Sequence, residues 1–108
     1  MKEADEILQE AAQTFAERKV IYGTNYINAG NALHALFPNG VTLSNEIDQR
    51  RFHIFTWIIG KLSRYALNFD KGGHQDSIHD ACVYAAMLEA IDEEAQMLRE
   101  YDDLLKEK

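Results

Sequence analysis

The chain has 108 residues, 46% hydrophobic and 27% charged, which fits one globular domain with a modest core. Its formal net charge of −7 excludes broad, sequence-independent nucleic-acid binding, where lysine and arginine must neutralise many phosphates; one small anion in a local basic pocket stays open. The single cysteine, Cys82, excludes an intrachain disulfide, and no run approaches the ~20 apolar residues of a membrane helix. The acidic, amphipathic opening MKEADEILQE lacks the apolar run of a signal peptide, so a cytoplasmic protein without membrane contact is expected.

Residues 3–22 read as a first helix, with Ala4, Ile7, Leu8, Ala11, Phe15 and Tyr22 at three- and four-residue steps on one buried stripe. Gly23 ends it, and Thr24 or Asn25 can cap the next. A second helix over 25–36 carries Tyr26, Ile27, Ala29, Leu33, Leu36 and Phe37, and Pro38 and Asn39-Gly40 stop it. Ser44 is the expected cap of a third helix running to about Asn68, with Glu46 and Asp48 favouring its positive start. Its wide apolar face makes it the central element. A second stripe on it, Arg50, Trp57, Lys61 and Arg64, sets cations beside an indole.

Asp70-Lys71-Gly72-Gly73 reads as a turn, and a fourth helix starts near Asp76 and runs almost to the end. Ile78, Ala81, Cys82, Ala85, Met87, Leu88 and Ile91 are expected to be buried in its first half, with Cys82 a small core residue. Tyr84, Ile91, Leu98 and Leu105 recur every seven residues, with Met87, Glu94 and Tyr101 at the intervening positions. That weak seam suggests a homo-oligomer contact made by residues 92–108. The expected architecture is all-α: a single domain over 1–108, a four-helix assembly with a long C-terminal helix.

Polar chemistry concentrates at the hairpin between the last two helices. Lys61 and Arg64 could grip a phosphate, lysine as a point charge and arginine as a fork, or could lie on a solvated face. Trp57 could stack on a base or be core. Asp76 and Asp80 share a helix face and could hold Mg²⁺ with waters and phosphates completing its shell, or serve as a helix-start acid and an ion-pair partner for Lys61 or Arg64. His74 could contact a phosphate or cap the turn; H-x-D-x-x-H-D is no zinc signature. Tyr22 and Asn25, in Tyr22-Gly23-Thr24-Asn25, could donate to a ligand or simply form a turn. G-x-x-x-x-G-K-[ST] and G-x-G-x-x-G are absent from the sequence.

The strings ERKVIYGTNY, KLSRYALNF and GGHQDSIHDACVYAAMLE together resemble a family of small phage and prophage proteins of the nucleotide-modification-associated type. That family is similar in layout to the all-α nucleotide pyrophosphohydrolases of the MazG kind. The resemblance covers roughly residues 7–91 and implies MazG-like character for the fold. It also implies a nucleotide ligand and, if phage-encoded, residence in the host cytoplasm. The wider family binds Mg²⁺ with E-E-x-x-E on one helix and E-x-x-D on the next, and cleaves a nucleoside triphosphate to monophosphate and pyrophosphate. Asp76 and Asp80 would stand for the second motif, at i,i+4 rather than i,i+3. The first motif is missing, and Lys61 and Arg64 stand in its place.

Three functions follow as expectations. The first is a nucleotide-binding protein that holds phosphates with Lys61, Arg64 and His74, for sequestering a host defence signal or handling nucleotide pools. The second is a divergent Mg²⁺-dependent pyrophosphohydrolase using Asp76, Asp80 and Glu17, which requires at least three acids converging on one point. The third is a non-catalytic interaction module with a structural charge cluster and an acidic tail.

Overall fold

Chain breakers set the element boundaries. The computed structural model describes residues 1–107. Helix α1 spans Ala4–Tyr22 and ends where Gly23, at φ +51°, returns its N–H to the Lys19 carbonyl. Helix α2 follows at once over Asn25–Leu36 and stops before Pro38. Helix α3 covers Glu46–Leu67, a 3₁₀ turn covers Phe69–Lys71, and helix α4 runs over Gln75–Lys106. The described residues contain no strand, and no helix among them is long and apolar enough to cross a membrane.

The cap of α3 is Asn45, one residue after the expected Ser44. Two cap-competent residues stand side by side, and geometry selects the second: Asn45 Oδ1 accepts from the Asp48 N–H at 2.8 Å. The Ser44 N–H instead donates to the Asp48 carboxylate at 3.3 Å. Likewise α4 starts at Gln75, with His74 rather than a later residue as its extended N-terminal neighbour.

Helix α3 is central, as its wide apolar face implies. It packs antiparallel against α4, receives α2 on another side and touches the end of α1. Three contacts give the register of the α3–α4 pair: Arg51 to Asp92, Trp57 to Tyr84 and Lys61 to Asp80. Phe37, at the end of α2, meets Phe52 and Phe55 of α3 edge-on, at 5.9 and 5.4 Å between centroids. Arg51 ties the far end together, with Nε 2.7 Å from Asp92 and an Nη 3.3 Å from Asp48. Its pKa is raised further, first by the hydrogen bond to Asp92.

Burial departs from the expected pattern in three helices; in α2, the apolar Tyr26, Ile27 and Leu36 are exposed. The whole apolar stripe of α1, from Ala4 to Phe15, is exposed; only Tyr22 is half-buried. In α4, the residues turned toward α3 are Ser77, Ala81, Tyr84, Leu88, Ile91 and Ala95. Ile78, Cys82, Ala85 and Met87, expected in the core, are exposed. The reason is rotational. An α-helix advances about 100° per residue, so a stripe begun at Ser77 excludes Ile78, Cys82 and Ala85. The polar Ser77, the most deeply buried side chain, hides that stripe in the sequence.

The seven-residue seam also divides. Tyr84 and Ile91 are half-buried, whereas Leu98 and Leu105 are exposed. A strict heptad drifts about 20° per repeat on a straight helix, so the seam leaves the α3-facing side as α4 proceeds.

Candidate functional site

Of the sequence-predicted residues, Trp57, Lys61, Arg64, Tyr22 and Asn25 line two adjoining clefts rather than one. The first lies between α3 and α4. It has a volume of about 260 Å³ and is lined by Thr56, Trp57, Gly60, Lys61, Arg64 and Tyr84. Trp57 is 42% exposed, lies 5.2 Å from Tyr84 and meets His53 edge-on at 4.4 Å. One turn further along, Lys61 Nζ sits 3.0 Å from Asp80 Oδ2. Lys61 is thus engaged before any ligand arrives, with its own side chain 20% exposed and that of Asp80 41%.

The second cleft, about 380 Å³, sits in the crook between α1 and α2. Its lining includes Phe15, Arg18, Lys19, Tyr22, Asn25 and Arg64 and no carboxylate. The geometry follows from the tight Gly23 turn, which folds α2 back beside the end of α1; Phe15 and Tyr26 meet edge-on across it at 6.1 Å. Among the described residues, Arg18, Lys19 and Arg64 make no salt bridge. Three cations facing one cleft are a local reversal of sign in a chain whose net charge is −7.

Arg64 belongs to both clefts. Its guanidinium carbon lies 4.0 Å from the centroid of the Tyr22 ring, a cation–π contact that fixes its direction. Its Nε is buried without a hydrogen-bond partner among the described residues, as is Asn25 Oδ1 in the same crook. An unmade hydrogen bond from a buried charged group costs about 1–3 kcal/mol or more, so such a group is completed by a water, an ion or a ligand in most folded proteins. Asn68 holds the backbone beneath. Its side-chain N–H groups donate to the Ile21 carbonyl at 3.0 Å and the Arg64 carbonyl at 2.8 Å, joining α1 to α3.

The remaining candidates lie elsewhere. His74 lines neither cleft; its Nδ1 shares a 2.5 Å hydrogen bond with the Ser77 hydroxyl at the start of α4. Arg50 pairs with Glu46 at 2.6 Å and is not part of the cation group. Asp76 is exposed, and Asp80 is taken by Lys61. Among the described residues no three His, Cys, Asp or Glu side chains converge as a metal site would require. A Mg²⁺ held by Asp76 and Asp80 would need Asp80 released from Lys61, with waters and phosphates supplying the rest of its shell.

Sequence reasoning missed Arg18 and Lys19. The available signal was their spacing to Tyr22, one turn later, just before a glycine break. A larger cavity, about 490 Å³, opens where α2 meets α3, lined by Phe37, Phe52 and Phe55. It lies near Arg51, roughly 15 Å along α3 from Lys61. There Arg51 is paired with Asp48 and Asp92, and with Arg99 also in the lining the cavity holds two cations against two acids, with no excess of positive charge to mark it as the anion site.

No family model, curated protein or solved structure matches the chain.

Proposed function

We propose that the chain binds a nucleotide through its phosphates and releases it unchanged. The observation that carries this reading is Arg64: a cation without a salt bridge, held over Tyr22, with a buried unpartnered Nε, on the shared wall of two clefts. Arg18 and Lys19 add charge on one side and Lys61 on the other. Guanidinium groups bind phosphate oxygens as forks and ammonium groups as point charges. The exposed Trp57 offers a face on which a base can stack, worth about 1–3 kcal/mol. Binding without turnover is favoured because Asp80 is paired with Lys61 and, among the described residues, no third acid joins Asp76 and Asp80. The phage-type resemblance points to sequestration of a nucleotide signal as the use of such binding.

The test is calorimetric titration with linear and cyclic nucleotides, followed by mass spectrometry of the recovered ligand. Binding should weaken as salt rises. Arg64→Ala should raise Kd about 10- to 100-fold, equivalent to losing one charge-assisted hydrogen-bonding group. Lys61→Ala should have a smaller effect, since Lys61 must leave Asp80 to bind. Absence of heat across the panel, or unchanged affinity in Arg64→Ala, would reject the reading. Appearance of monophosphate and pyrophosphate only with Mg²⁺ would replace it with the hydrolase.

A further inference from the structure

We propose that the apolar face of α1 and the outer stripe of α4 are covered by a second copy of this chain, so that the folded unit is a homo-oligomer. The inference is independent of any ligand.

The single chain exposes too much surface. A folded monomer of 12.4 kDa is expected to expose about 6,100 Å², and this chain exposes 8478 Å², roughly 2,300 Å² more. Its radius of gyration is 18.9 Å, against about 13 Å for a compact domain near this length. Among the described residues, the buried apolar core is Ile54, Ile59 and Ala81. So small a core does not offset the conformational entropy of ordering the chain.

The excess is localised. On α1, Ile7, Leu8 and Phe15 are 53%, 70% and 52% exposed, on the stripe that amphipathic patterning marks for burial. On α4, Val83, Met87, Leu98, Tyr101 and Leu105 fall within about 60° of one another around the helix, and all are exposed. Helix α4 has 32 residues, ~48 Å, whereas α3 has 22, ~33 Å, so the end of α4 outruns its own packing partner.

A second copy is the occupant that fits. A face needed for folding must be covered at all times, and the partner always present at matching amount is the chain itself. Two copies each losing roughly 2,300 Å² would bury about 4,600 Å², inside the range of obligate homodimers. Charge separates this from a basic partner. Residues 92–107 hold seven acids against Arg99 and Lys106, so like copies repel and added salt should tighten their association. A basic partner would be released by salt.

Sedimentation of the purified full chain from about 1 to 100 µM, with native mass spectrometry, tests the proposal. The expected result is a mass of twice 12.4 kDa or a higher multiple, and a melting temperature that rises with concentration. Leu8→Glu should raise the dissociation constant at least about a hundredfold. In a chain complete by itself, that substitution at a 70% exposed helical position would change neither mass nor melting temperature. A 12.4 kDa species throughout, unfolding cooperatively at a concentration-independent temperature, would overturn the proposal. If Leu8→Glu does not fold, the concentration dependence of the unsubstituted chain decides alone. Dissociation by added salt would also count against it.

Discussion

Gly73→Ala isolates the join between the helices that carry the first cleft. Gly72 and Gly73 both have positive φ, +95° and +85°, so an alanine at either meets the same backbone penalty, about 1–2 kcal/mol. Their surroundings differ. A Cβ on Gly72 meets nothing within 4 Å, whereas one on Gly73 would lie 2.6 Å from Tyr65 Cε2 and 3.0 Å from its Cζ. Tyr65 is half-buried and meets Phe69 edge-on at 6.3 Å, so its ring must shift against a neighbour. Overpacking of that kind adds about 1–3 kcal/mol. Gly73→Ala should therefore cost about 3 kcal/mol and Gly72→Ala about half as much. Urea unfolding followed by circular dichroism, at one fixed protein concentration, measures both. In a Tyr65→Ala background the cost of Gly73→Ala should fall to that of Gly72→Ala. Equal losses for the two glycine variants, or no relief from Tyr65→Ala, would refute the reasoning.

Two further outcomes concern the cleft walls. Asn68→Ala should destabilise by about 1–3 kcal/mol, because it leaves the Ile21 carbonyl and the Arg64 carbonyl without that donor; hydrogen exchange should rise first at the end of α1. A loss spread evenly over the chain would contradict the assigned tie. A double-mutant cycle on Lys61 and Asp80 should return a coupling below about 1 kcal/mol, since both side chains are partly solvated. A coupling well above that would make the pair a structural lock.

The helix boundaries were readable because breakers are local. Gly23 and Pro38 stop α1 and α2 whatever surrounds them, and Gly72 ends the 3₁₀ turn after α3, so α2 matches residues 25–36 and α1 differs by one residue. The interior was less readable. Periodicity identifies a stripe but says nothing of what lies opposite: the stripe of α1 faces solvent, and that of α4 begins at a serine. The candidate site was half legible. Trp57, Lys61 and Arg64 share one helix and needed only its period, and Lys61–Asp80 was among the pairings their charges allow. Arg18 and Lys19 join Arg64 through a turn whose angle spacing cannot give, and His74 is turned to Ser77 by the start of α4.

Helix α1 is fastened to α3 at its C-terminal end, through the Ile21 carbonyl and the Tyr22 ring under Arg64. It is therefore a lever, about 28 Å long, whose far end moves most for a given rotation. Arg18 and Lys19 ride within one turn of the fulcrum, while Arg64 is fixed to α3. A rotation that carries Leu8 several ångströms moves these two cations only slightly. The cleft can keep its charge spacing while the arm beyond it adjusts to the surface that covers it.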